Sequence, residues 1–320
     1  MFKINNSEDN QQFDQGNGGS CVKFSNLFNP KARNIFLSFI IFLCLTSCQS
    51  LESKSVHSEP KILKDIPYGK DIRNTMDVYL PPQANNSPVI FMVHGGAWWT
   101  GDKAYKSVVE NKVSRWVTKG FIFISANYRL LPKADPLQQA TDVARALAVA
   151  QNNAPHWGGD ASKFVLMGHS AGSHLVAVLS ASPSIALDLG AKPWLGSVLI
   201  DSGALDVVKI MKRAHFHLYD NAFGSDIAYW KSVSPFHLLK AAQSPFLAIC
   251  STKREGNSCS QATEFVRKAS SLGMRANVLK VNMSHRDTNI QLGKDLDYTK
   301  AVELFLATLD KSIKQLLTKP

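Results

Sequence analysis

The chain has 320 residues, 45% of them hydrophobic and 19% charged, with a net charge of +11 at neutral pH. This composition supplies ample material for a large core and excludes a chain too polar to fold. Its lysines and arginines are scattered, without a run of five like charges or a nucleic-acid-binding motif, so the excess reads as a solvated basic surface.

Residues 1–30 are rich in Asn, Gln and Gly and are expected to be disordered, or to precede the true start codon. Lys31 and Arg33 then lead into an apolar stretch, Ile35 to Leu45, that closes on Leu45-Thr46-Ser47-Cys48. A basic flank, an apolar segment of about 11 residues and small residues at a cleavage point describe an export signal, too short to span a membrane comfortably. Leu-Thr-Ser-Cys resembles the bacterial lipobox, so residues 31–48 are expected to be a lipoprotein signal peptide. Cys48 would then be the lipid anchor and residues 49–61 a linker. Gln49, where Asp would retain the protein at the inner membrane, resembles an outer-membrane sorting signal. The expected location is the cell envelope, on its periplasmic or surface face.

A single domain is expected over residues 62–318. Strands are read at Met76–Leu80, Val89–Val93, Phe121–Ala126, Phe164–Met167, Gly196–Ile200, Pro245–Cys250 and Ala276–Val281. Helices are read at Tyr105–Thr118, Asp135–Asn152, Ser173–Ala181, Ser260–Leu272 and Tyr298–Leu317, the last as one amphipathic helix. Strands separated by helices imply right-handed crossovers and an α/β fold, with a mostly parallel central sheet covered by helices on both faces. Ligands then sit outside the carboxyl ends of the strands. Leu205–Trp230 is irregular, carries His215, His217 and Tyr219, and is expected to form a cap.

Gly168-His169-Ser170-Ala171-Gly172 lies between an apolar strand and a helix. A serine on such a turn has its hydroxyl lifted clear of the sheet, and the flanking glycines admit a turn too tight for side chains. At the end of the Val89–Val93 strand stands His94-Gly95-Gly96-Ala97-Trp98-Trp99, whose successive glycines leave N–H groups bare toward a developing oxyanion. These motifs resemble the α/β-hydrolase fold, as do Asn127-Tyr128-Arg129-Leu130-Leu131-Pro132, Trp157-Gly158-Gly159-Asp160 and Asp201-Ser202-Gly203. The groups most similar are the hormone-sensitive-lipase-like and feruloyl-esterase-like carboxylesterases.

The resemblance implies that Ser170 is a nucleophile, that His285, after the last strand, is its base, and that Gly95, Gly96 and Ala171 form the oxyanion hole. His94, His169 and His174 are read as packing or loop-organising groups. For the acid, relatives carry an Asp after the Pro245–Cys250 strand, where Glu255 is the only carboxylate of Ser251–Cys259. Glu255 is therefore the expected acid, with Asp201 and Asp206 as alternatives.

The implied activity is hydrolysis of small esters without a cofactor. No Cys/His cluster has zinc-ligand spacing, so no metal is expected. Cys250 and Cys259 are candidates for a disulfide. The His-Gly-Gly-x-Trp loop equally fits an amide hydrolase of the kynurenine-formamidase type, and an inactive hydrolase-fold binding protein is a third reading.

Overall fold

The computed structural model describes residues 60–318, apart from Ala242 and Asn257. The expected signal, Cys48 and nearly all of the linker lie outside them. The described residues fold around an eight-stranded sheet. Its strands are β1 (Lys61–Pro67), β2 (Thr75–Leu80), β3 (Ser87–Val93), β4 (Ile122–Ala126), β5 (Gly159–His169), β6 (Gly196–Ile200), β7 (Phe246–Ser251) and β8 (Ala276–Val281). They stand in the order β1-β2-β4-β3-β5-β6-β7-β8. Only the β1–β2 and β2–β4 pairs are antiparallel. This is the α/β-hydrolase fold, with a mostly parallel sheet, as expected.

β3, β4, β6 and β7 are buried along their whole length, which is why they read as continuous apolar runs rather than as alternating ones. Successive side chains still point to opposite faces. Val89, Phe91, Val93, Phe164 and Leu166 pack in one layer with residues of the helices Pro136–Asn153 and Ala171–Ala181. Ile90, Met92, Val165 and Met167 pack in the opposite layer with Trp116, Val302 and Leu306. The helix Pro136–Asn153 starts where its sequence dictates: Asp135 and Gln138 cap each other reciprocally and Pro136 is its first residue.

Several elements depart from the sequence reading. β1 was not anticipated, because Lys61-Ile62-Leu63-Lys64-Asp65-Ile66-Pro67 is a largely exposed edge strand with little apolar signal. The C-terminal helix is two helices, Asp297–Ala307 and Lys311–Thr318. The first ends in a tightened turn, with Thr308 N–H on Phe305 O and Leu309 N–H on Leu306 O. The Asp310 carboxylate then accepts the Ser312 N–H at 2.7 Å and restarts the chain as a helix. Leu205–Trp230 contains short helices at Val207–Met211, Leu218–Phe223 and Ile227–Ser232, each too short to show periodicity.

The order β4-β3-β5 reverses the direction in which the sheet grows, which opens a crevice at the carboxyl ends of β3 and β5. Val93 pairs in register with Gly168, and His169 with Ile200. The His94–Trp99 loop, the Ser170 turn and the residues after Ile200 therefore meet at one edge.

Candidate active site

Ser170 sits between β5 and the helix Ala171–Ala181 with φ 55° and ψ −118°, a left-handed conformation costly for a residue with a side chain. Its N–H donates to Ile200 O at 2.9 Å, which ties the turn to the neighbouring strand. A Cβ on Gly168 would press into the Gly172 carbonyl, and one on Gly172 into the carbonyls of Val93 and His94. Both glycines are thus required by space. Although Ser170 occupies the N-cap position, its hydroxyl caps no backbone N–H of the helix. It lies instead 3.0 Å from His285 Nε2.

His285 is the first residue of the helix His285–Ile290, begun by Ser284, whose hydroxyl accepts the Asp287 N–H at 3.1 Å. Several groups not anticipated from sequence hold this helix. Thr288 donates its hydroxyl to His285 O at 2.7 Å. The buried Lys112 donates to Asn289 O at 2.7 Å near the helix's carboxyl end, and burial pulls its amine down to about 7. His169 stacks on His285 at 4.6 Å and places Nε2 3.0 Å from His285 O. A carbonyl only accepts, so the proton resides on His169 Nε2. Burial foremost, then repulsion by the neighbouring imidazole, push His169 down to about 3 and keep it neutral.

The carboxylate facing His285 is Asp201, at 2.6 Å from Nδ1, and not Glu255. Asp201 directly follows β6 and is fully buried. Burial opposes its charge. The His285 hydrogen bond, the Arg254 guanidinium 3.5 Å away and the Ser251 N–H at 2.9 Å together overcome that, and bring it down to about 2. Glu255 is corrected to an exposed residue on the wall of a separate cavity. The physical reason is the loop's shape. Cys250 and Cys259 form a disulfide with Cα atoms 5.1 Å apart, and within the loop so closed Arg254, not Glu255, turns toward Asp201 and donates to its main-chain oxygen at 2.6 Å. Asp206 is also not the acid. It caps the helix Val207–Met211 through the Lys209 N–H at 3.0 Å.

The His94–Trp99 loop presses on the serine turn. A Cβ on Gly95 would come within 2.9 Å of Ser170 Cβ. Gly96 has φ 129°, and Trp99 and Thr100 both donate their N–H to its carbonyl, at 3.0 and 2.9 Å. The N–H groups of Gly95, Gly96 and Ala171 donate to no protein acceptor among the described residues. His94, fully buried and pushed down to about 4 chiefly by desolvation, bonds its Nδ1 to Gly95 O at 2.8 Å and stacks on Tyr128. Trp98 donates its indole N–H to His174 Nδ1 at 3.2 Å, and Tyr219 and Phe223 of the helix Leu218–Phe223 pack on its ring at 5.9 and 5.0 Å. His215 and His217 both pair with Asp220.

The arrangement can do nucleophilic acyl chemistry. A hydroxyl, an imidazole and a buried carboxylate lie in one hydrogen-bonded line, beside a loop with unshielded donors. The family model named BD-FAE matches residues 76–269, and the chain belongs to this family. A probable isoprenylcysteine alpha-carbonyl methylesterase of Arabidopsis thaliana, ICMEL2, is 33% identical over 116 residues, 36% of this chain and 27% of that protein. Kynurenine formamidase of Danio rerio is 27% identical over 160 residues, 50% of this chain and 52% of its own length. The chain thus spans about a quarter to a half of these relatives. Among solved structures, esterase B from Lactobacillus rhamnosus superposes with a TM-score of 0.65 at 20% identity, covering 81% of this chain and 88% of that one.

Proposed function

We propose that this chain is a serine carboxylesterase with Ser170 as nucleophile, His285 as general base and Asp201 as the acid. The observation that carries this reading is the position of His285, 3.0 Å from Ser170 Oγ and 2.6 Å from Asp201 Oδ2. His285 Nε2 accepts the Ser170 proton as the hydroxyl oxygen bonds to the ester carbonyl carbon. Nδ1–H meanwhile donates to Asp201, which stays ionised and stabilises the imidazolium. Charge growing on the carbonyl oxygen falls to the N–H groups of Gly95, Gly96 and Ala171. The alcohol leaves with the proton from His285, and water attacks the acyl-enzyme by the same route, so no cofactor enters. The family and the methylesterase relative support an ester as substrate.

Turnover of a panel of p-nitrophenyl esters by purified protein, beside Ser170→Ala, tests this reading. Hydrolysis lost in the folded variant supports it; a variant as active as the parent contradicts it. A second reading, hydrolysis of an aryl formamide, is favoured by the Trp98 loop and the formamidase relative. N-formylkynurenine assayed in parallel separates the two, and a folded protein inert toward both would indicate a binding role. We also propose that the chain is anchored in the cell envelope by a lipid on Cys48, a reading supported by the basic and apolar residues before it.

A further inference from the structure

Beside the triad lies a cavity of about 480 Å³ that Ser170 and His285 do not line. Four segments wall it: the turn after β6, through Gly203; the stretch Lys209–Tyr219, through Lys209, Arg213 and Phe216; the disulfide-closed loop, through Arg254 and Glu255; and the helix that follows, through Ser260 and Gln261. The lining is basic. Lys209 is matched by Glu264, both of whose oxygens lie 2.6 Å from Nζ. Arg254 commits only Nη1, to Asp201, so its Nε and Nη2 bond nothing among the described residues. Arg213 has no ion pair or side-chain hydrogen bond among them. The charge of Arg254 is already shared with the Asp201 carboxylate 3.5 Å away, so among the described residues Arg213 is the unpaired cation that faces Glu255, with the spare N–H donors of Arg254 beside it.

Guanidinium groups with unspent N–H donors are suited to carboxylates, which they hold in paired, charge-assisted hydrogen bonds. Gly203 keeps this wall open. A Cβ there would come within 2.7 Å of the Tyr219 hydroxyl and 2.9 Å of Arg254 Nη2. Phe216, 56% exposed, adds an apolar face for the chain that carries the anion. Continuity with the triad runs through two residues. Arg254 touches Asp201, and Tyr219 lies against Trp98 of the oxyanion loop.

We infer that this cavity is a recognition subsite for a carboxylate at the far end of the substrate, and that the preferred substrates are esters carrying a free carboxylate. This rests on the esterase reading above. Arg213 is a specificity-determining residue, and Glu255 tempers the preference by like-charge repulsion. The bond cleaved is still the ester, and the carboxylate is bound unchanged.

The test is a series of p-nitrophenyl hemi-esters of straight-chain dicarboxylic acids, succinate to suberate, each beside the uncharged acyl ester of equal length. The parent protein should favour the anionic member of at least one pair by roughly tenfold in kcat/KM, the scale of one charge-assisted hydrogen bond. Arg213→Gln should remove that preference through KM and leave the uncharged esters unaffected. Arg213→Lys should restore part of it, Glu255→Gln should increase it, and added salt should reduce it. No preference at any length, or one that survives Arg213→Gln, overturns the inference. Should no ester be hydrolysed, the esterase reading fails by itself and titration with adipate decides the subsite. Binding lost in Arg213→Gln upholds it, and no binding to the parent protein refutes it.

Discussion

Ser251 donates its backbone N–H to Asp201 Oδ1 at 2.9 Å, and this bond between the ends of two adjacent strands aims the other oxygen, Oδ2, at His285. Asp201 follows β6 and Ser251 ends β7, so the carboxylate is held by the sheet itself rather than by a loop. Arg254 adds a second hold, on the main-chain oxygen. A residue fastened this way orients its partner without moving.

Asp201 also makes stability depend on pH. Its folded-state value, about 2, lies below the ordinary 3.8. A depressed carboxylate contributes stability that is complete above its unfolded value and is lost as pH falls through the folded one. The contribution at neutral pH is roughly 2 kcal/mol. Urea midpoints of the parent should therefore drop more steeply between pH 5 and pH 3 than those of Asp201→Asn. Parallel curves for the two proteins would show that the carboxylate gains nothing on folding.

Gly172→Ala should destabilise the fold and not merely slow the reaction. The new Cβ meets the carbonyls of Val93 and His94, backbone groups fixed in and beside β3, so the turn must shift. Overpacking of this kind costs roughly 1–3 kcal/mol. Thermal denaturation of purified variant and parent measures it, and equal midpoints would show that the turn relaxes freely.

Replacing both Cys250 and Cys259 with serine should cost about 2–3 kcal/mol by releasing the loop in the unfolded chain. It should also slow ester turnover, since Arg254 then steadies Asp201 less well. Urea unfolding and kcat of the double variant check both parts. Unchanged values would mean that the loop holds its shape without the bridge.

Lipid attachment at Cys48 predicts that globomycin makes a larger precursor accumulate in cells expressing the chain, and that Cys48→Ala is never acylated. Labelling with a clickable palmitate reads the second outcome. Label on the alanine variant, or no precursor, would rule out this processing.

The strands that carry the site were legible because a parallel sheet covered on both faces demands uninterrupted apolar runs, as in Val89–Val93 and Gly196–Ile200. Ser170 and the Gly95–Gly96 loop were legible for a related reason, since tight turns at strand ends leave a glycine signature. The acid was not. Which carboxylate reaches His285 depends on how β6 and β7 end side by side, and a count along the chain does not contain that. Glu255 had the right type and order, but the Cys250–Cys259 loop presents it to the neighbouring cavity. Arg254, Lys112 and His169 hold Asp201 and the His285–Ile290 helix through main-chain carbonyls, contacts for which a single sequence has no pattern.

The most direct measurement of the proposed triad is steady-state hydrolysis of an uncharged p-nitrophenyl ester by Asp201→Asn and Glu255→Gln, with folding of each verified by circular dichroism. Loss of the orienting acid should lower kcat in Asp201→Asn by roughly 10² to 10⁴, while Glu255→Gln stays near the parent value. A large loss in Glu255→Gln together with a mild one in Asp201→Asn would contradict the assignment.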